Sequence, residues 1–164
     1  EVGKALNLAV ILAVATGGRK MEVWGLNTRQ IDWKREAVTF DKTKRDVRRT
    51  VSIPEDAMKL LKAHGRVLGD QPVFPSTSRG QAGGSFDFRA QFKKALAIAQ
   101  IEDFSWHGLR HTSASFMVMS RVETQTLMKI FGWRFPKMVD RYTHLYIEHK
   151  AEVQQRMAGK FLKI

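Results

Sequence analysis

The chain has 164 residues, with 28 Lys or Arg against 16 Asp or Glu, for a net charge of +12 with His neutral. One domain of this size buries a sizeable core, and 43 % hydrophobic residues are too many for a disordered basic tail. The lack of cysteine excludes a disulfide scaffold, a Cys-ligated zinc finger, an iron–sulfur centre and a cysteine nucleophile, and it fits a reducing compartment.

No apolar run approaches the ~18 residues of a membrane span. The stretch from Ala5 to Ala15 is too short, and it lacks the charged leader and cleavage site of a signal peptide. The chain begins at Glu1 and reads as a domain excised from a longer protein. A positive surplus this large predicts a polyanion partner, nucleic acid first. Lys42, Lys44, Arg45, Arg48 and Arg49 crowd together, and such a density repels itself unless phosphates neutralise it.

In chain order, Ala5, Leu6, Ala9, Val10, Leu12 and Ala13 recur at helical spacing. They predict a buried first helix that Gly17 and Gly18 end. Glu22 to Leu26 reads as a short helical turn. Thr28 to Trp33, Ala37 to Phe40 and Arg49 to Ile53 carry alternating apolar residues and predict two or three antiparallel strands, with the basic cluster on the hairpin between the last two. Pro54, Glu55 and Asp56 open a helix that runs to about His64 and stops at Gly65. Gly69 to Gly84 is a long loop.

Ser85 is expected to cap a helix carrying Phe88, Phe92, Ala95, Leu96 and Ala99 on one stripe. Further helices are predicted from about His107 to Met119, from Glu123 to Phe131, from Pro136 through Tyr142, and from Glu148 to Ala158. Met117, Met119 and Met128 read as core fillers. The sum is a mainly α domain with a small antiparallel β-sheet, an α+β class.

Polar residues gather at element ends. Arg19 follows a Gly-Gly turn, and Glu22 stands where it would orient that guanidinium by a bidentate contact. His107, Arg110 and His111 share one helix face, while Leu109 turns to the core. Two His at this spacing suit zinc, but Gly108 replaces the Glu of HExxH and Arg110 repels a cation, so the predicted ligand is an anion and no metal is expected. Tyr142 and Tyr146 are the chain's tyrosines, and spacing alone does not choose between them.

Together these segments resemble the tyrosine recombinase, or phage integrase, family along nearly the whole chain. The family's T-G-x-R-x-x-E box is matched by Thr16 to Glu22, and its hairpin lysine by Lys42-Thr43-Lys44. Its H-x-L-R-H-T box is matched by His107 to Thr112, its L-G-H/W box by Phe131-Gly132-Trp133, and its Y-T-H by Tyr142-Thr143-His144. Three positions depart from the pattern. Gly18 replaces a larger apolar residue, which predicts a looser turn at Arg19. Lys44-Arg45-Asp46 replaces a Lys-Asn-Gly turn, so both Lys44 and Lys42 stand as the hairpin lysine, with Lys44 favoured by alignment on Thr43. Trp133 replaces the commoner His; its indole N–H donates one hydrogen bond but shuttles no proton.

The resemblance implies the tyrosine recombinase catalytic-domain fold over residues 1–164, with the DNA-clamping domain absent from this chain. It implies a site-specific recombinase in which Tyr142 forms a 3′-phosphotyrosyl link with DNA, without metal, ATP or other cofactor. Arg19 and Arg110 would stabilise the phosphate, His107 would donate to it or help move the tyrosine proton, Lys44 would protonate the leaving oxygen, and Trp133 would close over the site. Glu22 and His111 would support from behind. Candidate DNA contacts are Lys42, Arg45, Arg48, Arg79, Arg89 and Lys93.

The implied partners are double-stranded DNA, other protomers in a tetrameric synapse and DNA-bending proteins, with no membrane, in a prokaryotic cytoplasm. Residues 148–164 pack on their own domain or pass to a neighbour. A type IB topoisomerase-like relaxing enzyme and a non-catalytic DNA-binding module are the alternatives.

Overall fold

The computed structural model describes residues 2–41, 47–65, 69–76 and 84–142. The chain runs through α1 (Val2–Thr16), α2 (Lys20–Trp24), a 3-10 turn (Thr28–Gln30), β1 (Ile31–Asp32), β2 (Ala37–Phe40) and β3 (Arg49–Ser52). It continues through α3 (Glu55–His64), α4 (Arg89–Ile98), α5 (Trp106–Met119), α6 (Thr124–Phe131) and α7 (Lys137–Asp140). The expected mainly helical architecture with one small antiparallel sheet is present. The expected last helix, Glu148 to Ala158, lies outside the described residues.

Helix α1 is the central post. Leu8, Ala9, Leu12 and Ala13 are buried on it, and the small side chains of Ala9 and Ala13 let α3 and α5 pack closely. The sheet has the order β1-β2-β3. Val38 pairs with Val51 and Phe40 with Arg49, which places Val38, Phe40 and Val51 in the core. The rings of Trp24, Phe74, Phe88 and Trp106 close the opposite side with edge-on contacts at 5.0–5.7 Å. A second apolar cluster joins Ala114, Val118, Leu127, Phe131, Trp133, Val139 and Tyr142 from α5, α6, α7 and the segments after α6 and α7.

Several elements differ from the sequence expectation. Only Ile31 and Asp32 of the Thr28–Trp33 segment form a strand. The Asn27 side chain accepts from the Arg29 amide at 3.0 Å and Gln30 Oε1 accepts from the Asn27 amide at 2.9 Å, which curls the start into a turn. Ser85 does not cap α4; it pairs with Pro75 in an isolated bridge, and Asp87 Oδ1 accepts the Arg89 amide at 2.9 Å instead. On the expected α4 stripe Phe88 is buried and Phe92 and Leu96 are half-buried, but Ala95 and Ala99 face solvent. Met117 and Met128 pack against the second cluster, whereas Met119 is 59 % exposed.

Gly17 ends α1 at φ +62°, and a Cβ there would run into the Phe131 ring. Both the left-handed backbone and the missing space demand glycine. Gly17→Ala is expected to cost about 2–4 kcal/mol, from left-handed strain plus overpacking. Urea unfolding would show this as a lower midpoint with an unchanged slope.

Candidate active site

The site grows from how three helices end. The α1 terminus turns through Gly17 and Gly18 and delivers Arg19 as the residue before α2. Gly18 does not loosen this turn, contrary to expectation. A Cβ there would lie 2.7 Å from Val23 Cγ2 and 3.2 Å from Phe40 Cζ, so the turn is closed against the core. The Glu22 carboxylate accepts the Arg19 amide at 2.7 Å and so fixes the start of α2.

The guanidinium that grips Glu22 bidentately belongs to Arg49, not to Arg19 as the spacing suggested. Arg49 Nη1 and Nη2 donate to Oε1 and Oε2 at 2.8 and 2.7 Å, and its Nε donates to the Ile130 carbonyl at 2.8 Å. The Arg49 side chain is only 3 % exposed and its guanidinium lies over the Phe40 ring. Thus Arg49, read from sequence as part of the phosphate-seeking cluster, is consumed internally. Burial works to raise the Glu22 pKa, but the hydrogen bonds from the Arg49 side chain and the Arg19 amide, with the charges of Arg49 and Arg110, hold it below the ordinary carboxylate value.

Arg110 projects from α5 and is 3 % exposed. Its Nη1 donates to the Gly17 carbonyl and its Nη2 to the Phe131 carbonyl, both at 2.6 Å. One guanidinium thereby satisfies carbonyls at the ends of two helices. Burial, then the charges of Arg19 and Arg49, draw its pKa down to about 9, which leaves it charged at neutral pH.

Helix α6 stops at Gly132, φ +66°, and the Trp133 amide returns to the Met128 carbonyl at 3.0 Å. That turn lays Trp133 between Phe131, with ring centres 4.6 Å apart, and Tyr142, 5.8 Å away, each tilted by only 17°. Tyr142 follows α7, held by its amide to the Val139 carbonyl at 2.8 Å. Its hydroxyl lies 2.6 Å from His111 Nδ1. His111, expected to support from behind, meets the tyrosine oxygen directly, and His107 packs edge-on against it at 4.7 Å.

These side chains line an open cleft of about 400 Å³ formed by Arg19, His107, Arg110, His111, Trp133, Arg134, Phe135, Met138, Arg141 and Tyr142. Among the described residues no carboxylate lines it. Among the described residues no group of three or more His, Cys, Asp or Glu side chains is arranged to hold a metal ion.

Burial raises the Tyr142 pKa against the pull of Arg110 and Arg141. The His107 pKa falls through burial and then the charges of His111, Arg110, Arg19 and Arg141, and the His111 pKa falls through burial and then Arg141 and Arg110. Both imidazoles are therefore neutral at pH 7.

The structure brings together the predicted Arg19, His107, Arg110, His111, Trp133 and Tyr142, with Glu22 behind them. Lys42, Lys44, Arg45, Arg79 and Tyr146 lie outside the described residues. Arg48 is exposed beside a neighbouring groove that Lys129 and Trp133 also line. Arg89 is exposed and engaged with Asp87 at 2.6 Å, and Lys93 is exposed on α4. Sequence reasoning missed Arg134 and Arg141, though each adjoins a motif residue, Trp133 and Tyr142. It also missed the inward role of Arg49, whose signal was its place opposite Phe40 in a strand.

The sequence model of the phage integrase family matches residues 3–149. The chain belongs to the phage integrase family. It is 30 % identical to the integrase of Salmonella phage P22 over 175 residues, which cover 98 % of this chain and 44 % of that protein. It is 31 % identical to the shufflon-specific DNA recombinase of Escherichia coli over 168 residues, 96 % of this chain and 40 % of the relative. The chain thus spans less than half the length of these relatives.

Among solved structures, the catalytic domain of bacteriophage HP1 integrase superposes with a TM-score of 0.67 at 28 % identity, covering 95 % of this chain and 81 % of that one. XerH site-specific recombinase bound to its difH substrate shares the fold with a TM-score of 0.70 at 22 % identity, over 93 % of this chain and 46 % of that one. The tyrosine recombinase catalytic-domain fold expected from the motifs is the fold observed.

Arg49→Met strands a buried carboxylate and is expected to cost about 3–5 kcal/mol. The double variant Glu22→Met/Arg49→Met should recover much of that loss in urea unfolding. Because the folded Glu22 pKa is depressed, its stabilisation is complete above the ordinary carboxylate value of 4.5 and is lost as pH falls through the lower folded value. The double variant should lose this part of the acid dependence.

Proposed function

We propose that residues 1–164 are the catalytic domain of a site-specific DNA recombinase that breaks and rejoins strands through a 3′-phosphotyrosyl link. One observation carries this reading: the Tyr142 hydroxyl faces a cationic cleft that Arg19, Arg110, His107 and His111 share, with no carboxylate in its lining among the described residues. The Tyr142 oxygen attacks the backbone phosphorus. The bond from phosphorus to the 5′-oxygen breaks, and the departing oxygen takes a proton from Lys44, between β2 and β3 in the sequence, with Lys42 as the alternative donor. Arg19 and Arg110 offer permanently charged donors to the non-bridging oxygens. The histidine pair supplies a hydrogen bond to the phosphate and a sink for the phenolic proton. Trp133 holds the tyrosine ring by stacking. A second 5′-hydroxyl reverses the attack, so the phosphodiester energy is conserved and no nucleotide or metal is consumed.

The cationic walls, to which Arg134 and Arg141 contribute, suit a DNA backbone, and Arg48 and Lys129 extend positive charge into the neighbouring groove. Lys42, Arg45, Arg79, Arg89 and Lys93 are proposed as further DNA contacts, chiefly to phosphate. XerH, which shares the fold, is bound to its difH substrate in its solved structure, and double-stranded DNA is the partner proposed here. Recombination further requires other protomers in a tetrameric synapse, joined through residues 148–164, together with DNA-bending accessory proteins and a DNA-clamping domain on the N-terminal side. No helix among the described residues is long and apolar enough to cross a membrane. The proposed setting is the DNA of a prokaryotic cytoplasm.

The test incubates the full-length protein with DNA flanking its gene, in chelator and without ATP, and denatures the mixture in SDS. A covalent protein–DNA adduct is expected, absent in Tyr142→Phe. Arg110→Ala should slow its formation by about 10²–10³-fold. Binding without any adduct on a nicked substrate that traps the free 5′-end would leave only a DNA-holding module.

A further inference from the structure

Nucleophilic attack requires the phenol to lose its proton, and two imidazoles stand within one turn of α5. The geometry separates them. Tyr142 as a whole is 6 % exposed, which leaves little room for bulk water to take the proton. Its ring is fixed on one face by Trp133 at 5.8 Å, so its hydroxyl has a set direction. That direction ends on His111 Nδ1 at 2.6 Å, a short hydrogen bond. His107 packs edge-on against the His111 imidazole, ring centres 4.7 Å apart, and lines the cleft with Arg19 and Arg110. It therefore stands beside the anion-binding donors, and His111 stands on the nucleophile.

We propose that His111 is a catalytic residue, the general base that removes the Tyr142 proton, and that His107 donates to the phosphate. This rests on the phosphotyrosyl reading above. Neutral His111 carries its proton on Nε2 and presents the Nδ1 lone pair to the phenol. As the Tyr142 oxygen bonds to phosphorus, its O–H bond breaks and the proton passes to Nδ1. The 5′-oxygen leaves with its own proton from the hairpin lysine. On rejoining, the incoming 5′-hydroxyl returns a proton to that lysine, and the imidazolium of His111 returns its proton to the tyrosine oxygen as the link to phosphorus breaks.

The surroundings make this base conditional. Arg110 and Arg141 both act on the His111 ring, and His107 touches it. They oppose an imidazolium while the cleft holds no anion. A phosphodiester seated on Arg19 and Arg110 offsets their charge and lets the ring accept. The tyrosine is thereby kept as a phenol until DNA arrives.

The experiment uses the full-length protein and a nicked duplex from the DNA flanking its gene, so that each cleavage accumulates as adduct. In single turnover, His111→Ala should slow adduct formation by about 10²–10⁴-fold with duplex affinity unchanged. His111→Gln, which retains a hydrogen-bonding side chain, should be similarly slow, and its thermal unfolding reports whether the fold is intact. Placing 3,5-difluorotyrosine at position 142 gives a phenol that ionises more readily. In that background the deficit of His111→Ala and His111→Gln should shrink by at least about tenfold, while the deficit of His107→Ala should persist. An unchanged deficit in the fluorinated background, or wild-type rates in both His111 variants, would overturn the assignment. No adduct from the wild-type protein would instead remove the phosphotyrosyl reading itself.

Discussion

Glu22 and Arg49 form a buried, bidentate ion pair on which the rest of the site is hung. Glu22 also takes the Arg19 amide, and Arg49 also donates to the carbonyl of Ile130. One pair therefore connects the first arginine turn, the root of the basic hairpin and the end of α6. A buried pair of this kind adds little net stability over a well-packed apolar pair, because desolvating both charges consumes most of the Coulombic gain. What it provides is register. The planar guanidinium satisfies three acceptors in one plane, which an ammonium cannot do. Gly132 completes the fit, since a Cβ there would lie 3.1 Å from Arg49 Cδ.

Arg110 repeats the logic one layer closer to the cleft. It ties the Gly17 carbonyl to the Phe131 carbonyl and lies over the rings of Phe131 and Trp133. Two of its donors are spent on the fold, so its position is preorganised before any substrate arrives. Preorganised donors stabilise developing charge without the cost of rearranging during the reaction. The apolar cluster of Phe131, Trp133 and Tyr142 serves the same end: stacked rings hold Tyr142 by shape, and leave its oxygen as the polar tip.

The described lining of the cleft is strongly cationic. Arginines face one another, and the imidazoles between them are held neutral by burial and by that same positive charge. An anion resolves both conditions at once. In the proposed reaction a phosphodiester would offset the repulsion among the cations and let one imidazole become charged.

Much of this was legible in the residues. The spacing of Ala9, Leu12 and Ala13 announced a buried α1, Gly17 and Gly132 announced where helices stop, and the i, i+3, i+4 pattern placed His107, Arg110 and His111 on one face. Motif order identified Tyr142 ahead of any contact. Other features depend on which elements meet. Sequence neighbours suggested that Glu22 serves Arg19 and that Arg49 seeks phosphate, yet strand pairing carries Arg49 inward, across from Phe40, to Glu22 itself. The meeting of Tyr142 with His111 spans α5 and the turn after α7, and no local period encodes it. Sequence determined the chemical repertoire and the helix ends, because those follow from periodicity and turn chemistry within a few residues. The tertiary structure alone decided which charge pairs with which and which histidine meets Tyr142, because these are set by long-range packing in a medium where every buried charge must find its partner.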